Sequence, residues 1–276
     1  MLAWGLPQLR ELPWRTTRDR WHILVSEVMS QQTQVDRVVP KFLAFVEAYP
    51  TPSECAAAPL GELLTLWSGL GYPRRCRNLH EASKVIVERH GGDVPDDLEQ
   101  LLDLPGVGDY TARAVLVFAD HREVGIVDTN VARVMSRVEN RPLARKELQA
   151  IADESVPEGL SWEWNQVLMD FGATVCTARA PRCAECPVRS SCGWAGVNGN
   201  DPAPLTAGTS RPQGRFEGSD RQARGRLLKE LTRRGVSRVE VAEVMGDIER
   251  HRASRLVEQL IVEGLVAERD GFLSLP

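Results

Sequence analysis

Residues 176–192 read CTARAPRCAECPVRSSC, with Cys176, Cys183, Cys186 and Cys192 separated by six, two and five residues. Thiols this dense can form disulfides, bind a metal ion or hold an iron–sulfur cluster. Two disulfides fit poorly into seventeen residues, and disulfides are scarce in the reducing cytoplasm. Structural zinc usually takes two close Cys pairs, or a Cys/His mix, across a longer spacer. In this chain one C-x2-C pair lies between two single cysteines, and no histidine is near. Four thiolates staggered in this way can wrap the corners of a cubane cluster, with zinc as the alternative. The remaining cysteines, Cys55 and Cys76, are expected to be buried small residues rather than ligands.

Two more stretches carry chemistry. LPGVGDYTARAV (104–115) places Gly106 and Gly108 directly before a helical run. Both glycines are expected to permit a tight turn that bares backbone N–H groups at the helix start, an anion site suited to phosphate. VDTNVAR follows, with Asp128 twenty residues after Gly108. Asp128 can cap the helix TNVARVMSRV, and a capping carboxylate is also a fixed one. Upstream, Glu27 interrupts the apolar run WHILVSEVM, either as a polar residue on the helix's outer face or as a buried acid.

These residues need elements to hold them. From Trp21 to about Ala195 apolar residues recur at three- and four-residue spacing, broken by YPTPSE, GLGYP, HGGDVPDD and LPGVGD, which predicts an all-α region. Residues 196–218 are rich in Gly, Pro, Asn and Ser and are expected to form a flexible linker. Beyond it, helices are predicted near 220–234, 238–246 and 249–263. LVAERDGFLSL then turns at Asp270-Gly271, which together describes a winged helix. No internal repeat is present.

The 276 residues are 42% hydrophobic and 26% charged, with a formal net charge of −4. That balance argues against a polycation that coats nucleic acid, but not against a local basic face. Between Arg211 and Arg238 lie nine basic and three acidic residues, a face for nucleic acid or for a protein partner. Arg250, Arg252 and Arg255 on the last helix are further candidates for phosphate contact. No run of about 18 apolar residues exists, and MLAWGLPQLRELPWR lacks the build of a signal peptide. The expected location is the cytoplasm, in association with the nucleoid, and the expected state a monomer.

In their order, LPWR (12–15), SEVMSQQTQV (26–35), GLGY (69–72), RNLH (77–80), LPGVG (104–108), VDTNV (127–131) and the four cysteines resemble the MutY-type adenine DNA glycosylases, in the endonuclease III-like branch of the helix-hairpin-helix superfamily. The resemblance covers residues 1 to about 195. It implies a mainly α, two-lobed helical fold, with a [4Fe–4S] cluster held by Cys176, Cys183, Cys186 and Cys192. It also implies a duplex DNA partner containing a mismatched or damaged base. Arg179 and Arg182 match the loop whose basic residues meet DNA phosphates.

The same resemblance distributes the chemistry. Glu27 would protonate N7 of a flipped adenine, a role helped by apolar surroundings that keep a carboxyl protonated nearer neutral pH. Asp128 would stabilise the oxocarbenium-like sugar, Asn130 would orient the carboxylates, and Tyr110 would line the pocket. Gln32 and Thr33 would contact the orphan purine, guanine or 8-oxoguanine. Tyr72 would wedge into the base stack, Leu70 would contact DNA, the hairpin Gly106-Val107-Gly108 would hold the backbone, and Trp14 and Arg15 would form the pocket rim. Relatives with strand-cleaving activity carry a lysine where this chain has Tyr110, so a monofunctional glycosylase is implied.

Two features depart from the pattern. Pro73 follows GLGY where a second aromatic is usual, and the 58 residues from 219 are too few for the Nudix-like domain that reads 8-oxoguanine. Removal of thymine or uracil opposite guanine therefore stands as an alternative, and a DNA-binding iron–sulfur redox sensor as one of another class.

Overall fold

The computed structural model describes residues 1–195, 199–209 and 214–276. The chain runs through α1 (Leu2–Gly5), α2 (Arg20–Ser30), α3 (Val35–Ala48), α4 (Pro52–Ala57), α5 (Leu60–Trp67) and α6 (Pro73–His90). It continues through α7 (Leu98–Leu102), α8 (Asp109–Asp120), α9 (Thr129–Glu139), α10 (Arg145–Glu154) and α11 (Ser161–Thr174). The last part comprises α12 (Asp220–Leu231), β1 (Val236–Ser237), α13 (Val241–Val244), α14 (Arg250–Val262), β2 (Ala267–Arg269) and β3 (Phe272–Ser274). These elements pack as two compact units that do not follow chain order. One is Met1–Ile23, Asp96–Leu98 and Gly108–Pro212; the other is Leu24–Pro95, Glu99–Val107 and Gln213–Pro276.

In the first unit α8 is apolar nearly all round, burying Ala112 and every residue from Ala114 to Ala119, which suits a central helix. Val131, Val134, Met135, Leu148, Leu168 and Phe171 of α9, α10 and α11 form a core that Trp4 closes, edge-on to Phe171 at 5.6 Å. A Cβ on Gly5 would lie 2.2 Å from Val167 Cγ1, so α1 can approach α11 only with glycine there. The segment after α1 is tied down by charge. Arg10 and Arg15 both bond the carboxylate of Asp170 on α11, and the Asp170 and Arg15 side chains are each 7% exposed.

Residues 201–207 are more firmly held than their composition predicts. Asp201 pairs with Arg137 at 2.7 Å, the Leu143 amide donates to Thr206 Oγ1, and the Ala207 amide donates to Leu143 O. Two polar side chains supply these anchors, and Ala203 and Thr206 are buried. The remainder of the expected linker at 196–198 and 210–213, including Arg211, lies outside the described residues.

In the second unit, Pro52 opens α4 inside a capping box between Thr51 and Glu54. α4 lies on α6, and Cys55 and Cys76 are fully buried. Burial pushes the Cys55 thiol up to about 12 and Cys76 upward too, so neither is a thiolate near neutral pH. The C-terminal part is a winged helix. α12, α13 and α14 precede an antiparallel sheet ordered β1-β3-β2, and Leu227, Val236, Leu256, Leu260 and Leu273 are wholly buried beneath it. The turn between β2 and β3 places Asp270 and Gly271 at φ +50° and +77°, the left-handed pair of a tight hairpin.

Asp170→Asn is expected to cost about 3–5 kcal/mol, because it strands buried arginine charge. Burial raises the Asp170 carboxyl, but bonds from Arg15 and Arg10 outweigh it and hold the group below the ordinary carboxylate range. Its stabilisation is therefore present above pH about 3.9 and lost as pH falls through the lower folded value. Melting curves of wild type and Asp170→Asn should converge on acidification.

Candidate active site and cluster loop

The first unit holds Trp14, Arg15, Gly108, Tyr110, Asp128, Asn130, Arg179, Arg182 and the four clustered cysteines; the second holds Glu27, Gln32, Thr33, Leu70, Tyr72, Gly106 and Val107. In the second unit Glu27 faces inward. It is 5% exposed on α2, amid Leu24, Val25, Val28 and Met29, which excludes the outer-face reading.

At the end of α2 the chain turns through Gln32 at φ +53°, and after α5 it turns through Gly69, Gly71 and Tyr72 at φ +99°, +75° and +48°. Nothing lies within 4 Å of a Cβ built on Gly69 or Gly71, so their conformation, not space, demands glycine. Gln32 and Tyr72 have no such excuse. Between Leu24 and Pro95 they are the non-glycine residues held left-handed, and each costs about 1–3 kcal/mol that the surroundings must offset. Gln32 is exposed and Tyr72 is 37% exposed. Leu70 is buried, so it offers a ligand no side chain.

Arg75 holds both turns. Its Nη1 donates to the carbonyls of Val28, Met29 and Gln31 at 2.7, 3.0 and 2.7 Å, which satisfies the orphaned end of α2. Its Nη2 donates to Thr33 Oγ1 at 3.0 Å and to Leu70 O and Gly71 O. The guanidinium also lies 5.6 Å from the Trp67 ring and 5.3 Å from the Tyr72 ring. Burial pulls its pKa down to about 10, so it stays charged near neutral pH.

The hairpin glycines differ from the expectation. Gly106 is left-handed at φ +79°, and a Cβ there would lie 2.7 Å from Asn78 Cβ. Gly108 is extended and a Cβ on it would meet nothing within 4 Å. One glycine makes the turn; the other leaves the N-terminal end of α8 bare. Val107 is buried and its amide donates to Leu104 O. Tyr110 stands in the first turn of α8.

In the first unit Asp128 caps α9. Its Oδ1 accepts from the amides of Asn130 and Val131 at 2.8 and 2.6 Å, and its Oδ2 accepts from Asn130 Nδ2 at 2.8 Å. Burial pushes the Asp128 carboxyl upward against these bonds, which favour its ionised form. Asn130 can present its amide to Asp128 because Arg133 Nη2 takes the other end, Oδ1, at 2.8 Å. Arg133 also donates to Gly172 O and, through Nε, to Cys176 O. A side chain at Gly172 would press within 2.6 Å of Asn130 Cβ, so this glycine is required for the close approach of α11 to α9.

The four cysteines border a hollow of about 380 Å³, counting its open mouth, with Val134, Phe171, Val175, Val188 and Trp194. Among the described residues, no three His, Cys, Asp or Glu side chains gather as a single metal ion demands. A wider thiolate-bound [4Fe–4S] cluster fits this hollow. Its sulfur ligands would find donors in place, because Arg137 Nη1 approaches Cys176 Sγ at 3.4 Å and the Ala195 amide approaches Cys192 Sγ at 3.2 Å. Arg137 is 1% exposed, bonds Thr177 O and stacks 4.6 Å from the Trp194 ring. Arg179 and Arg182 lie exposed on the loop, Arg182 paired with Glu185.

Trp14 is buried. The Arg15 side chain is 7% exposed, and its bonds to Asp170 and Arg10 O make it part of the N-terminal anchor. Arg75, Arg133 and Arg137 went unmarked in the sequence. The available signal was an arginine inside an otherwise apolar helical face, and only for the α9 pair is it clear.

A family model for HhH-GPD superfamily base excision DNA repair proteins matches residues 25–158, and one for the iron-sulfur binding domain of endonuclease III matches residues 176–192. The chain is 42% identical over its whole length to an adenine DNA glycosylase of Mycolicibacterium smegmatis, spanning 94% of that protein, and 42% identical to one of Mycobacterium tuberculosis, spanning 92%. The human adenine DNA glycosylase is 40% identical over 70% of this chain and 38% of its own length. Among solved structures, a thermostable thymine-DNA glycosylase superposes with a TM-score of 0.66 at 31% identity, over 71% of this chain and 93% of that one. A non-covalent endonuclease III–DNA complex gives 0.63 at 27% identity, over 71% and 92%. The winged-helix tail thus falls within the span matched by the mycobacterial proteins, and the chain belongs to the adenine DNA glycosylases of the helix-hairpin-helix base excision repair superfamily.

Proposed function

We propose that the protein is a monofunctional glycosylase that hydrolyses the N-glycosidic bond of adenine opposite 8-oxoguanine or guanine in duplex DNA. The observation that carries this reading is the inward-facing Glu27, a carboxyl buried in an apolar helix where packing alone would select a hydrophobic residue. The substrate adenine is flipped out of the stack, at a cost of a few kcal/mol. Glu27 protonates N7 and makes the base a better leaving group. Asp128, its geometry set by the α9 amides and Asn130, stabilises positive charge on the sugar as the bond breaks, and water completes hydrolysis. Gln32 and Thr33 read the opposing purine and Tyr72 wedges the stack, which accounts for backbone strain at Gln32 and Tyr72. Phosphate meets Gly108 at the bare end of α8 and Arg179 and Arg182 on the cluster loop. The [4Fe–4S] cluster supplies a structural crosslink for residues 176–192. The protein acts in the cytoplasm, on nucleoid DNA.

A second reading, thymine or uracil removal opposite guanine, is favoured by the likeness to the thymine-DNA glycosylase structure. A pyrimidine has no N7 for Glu27 to protonate. Excision measured on A:8-oxoG, A:G, T:G and U:G duplexes separates the two, with the A-containing duplexes expected to be cleaved.

Glu27→Gln and Asp128→Asn should each slow single-turnover excision by about 10²-fold or more while duplex binding persists. Loss of binding in parallel with rate would make them structural. Because burial raises Asp128, the rate should fall on acidification above the ordinary aspartate value of about 3.9. Borohydride should trap no covalent complex, because Tyr110 offers no amine.

Gln32→Gly should relieve a left-handed side chain, stabilising the fold by about 1 kcal/mol while weakening preference for the opposing purine. Thermal melts and excision on paired substrates would show both effects or refute them. The purified protein should be brown, and Cys183→Ser should lose that colour together with DNA binding; a colourless protein holding one zinc would refute the cluster assignment.

A further inference from the structure

Among the described residues, the contacts that tie the winged helix to the rest of the second unit include two with a common meaning. Arg77 of α6 donates through Nη1 to Glu263 O at 2.6 Å, capping the C-terminal end of α14, where a cation is favoured. Gly61, in the first turn of α5, donates its amide to Pro276 O at 2.9 Å. A Cβ on Gly61 would lie 2.7 Å from that oxygen and 3.1 Å from Leu275 Cβ, so the tail packs against bare helix backbone. α5 and α6 are the two helices joined by Ser68-Gly69-Leu70-Gly71-Tyr72. Arg75 and Arg77 stand two positions apart on α6, where helical neighbours point to different sides. One holds the turn and the other holds the winged helix.

The same domain is nearly balanced in charge. From Ser219 to Pro276 it carries eleven Lys and Arg against ten Asp and Glu. Arg252 and Arg255 both bond Asp220, Arg238 bonds Glu258 and Glu268, and Arg224 bonds Glu263. Arg252 and Arg255, two of the three α14 arginines expected to meet phosphate, thus have an intramolecular carboxylate at hand.

We propose that the winged-helix domain is a brace on α5 and α6 that preorganises the Tyr72 turn for insertion into duplex DNA, with Arg77 and Gly61 as positioning residues. The proposal rests on the wedge reading of Tyr72. Arg77→Met and Gly61→Ala in the full chain test it, alongside Tyr72→Ala. Gly61→Ala improves helix propensity, so a loosened turn in that variant cannot come from a weakened helix. Each is expected to speed amide hydrogen exchange across residues 60–72. Each should also weaken binding to an A:8-oxoG duplex about tenfold, as loss of one charge-assisted bond or its steric equivalent implies. Affinity should keep the same dependence on salt, and Arg77→Lys should recover part of it. Unchanged exchange across 60–72 overturns the brace. A salt slope lowered by about one in Arg77→Met makes Arg77 a phosphate contact and overturns it as well. Faster exchange with affinity intact, and Tyr72→Ala equally without effect, overturns the wedge reading on which the proposal stands.

Discussion

Arg133 is a buried cation that donates to carbonyl oxygens rather than to carboxylates. It satisfies the main chain at Gly172 and Cys176 and the amide oxygen of Asn130. An unmet guanidinium in that setting would cost several kcal/mol, so every group it touches is held in one arrangement. One consequence is local: the Asn130 amide can turn only its nitrogen toward Asp128, which fixes the carboxylate. The other is longer in reach, because the first cysteine of the cluster loop is bound through its carbonyl to the helix that Asp128 caps. The loop and the candidate catalytic carboxylate thus share one hydrogen-bonded frame.

Arg75 repeats the device in the second unit. It gathers the carbonyls that end α2 and those of the Gly-rich turn, so two strained left-handed residues lean on one side chain. Strain in a glycine-rich turn is cheap, but at Gln32 and Tyr72 it needs such a support. In both units rigidity near the proposed chemistry comes from arginine bonded to backbone rather than from ion pairs.

The tail uses its charges differently. Arg224, Arg234, Arg238, Arg252 and Arg255 are matched by carboxylates within the same small fold, and residues 201–207 spend Asp201 and Thr206 on the first unit. Both facts move the C-terminal third away from a loosely tethered basic module and toward an integral part of the fold.

The candidate site was legible in the chain itself. The cysteine spacing, Glu27, the hairpin before Tyr110 and Asp128 ahead of a helix are local signals, because caps, turns and ligand spacings depend on residues a few positions apart. The winged helix was legible too, through helical periodicity and Asp270-Gly271; β1 was not, since two residues show no period and Val236-Ser237 becomes a strand only by pairing with β3. Tertiary structure alone decided which arginines are available. Arg15 meets a partner 155 residues away, Arg77 one 186 away, and Arg252 one 32 away, and no local pattern encodes such pairings. It also decided that Glu27 faces inward and that Gly106, not Gly108, makes the turn. A side chain's burial and a backbone's left-handed bend are set by what packs against them, and those neighbours are distant in sequence.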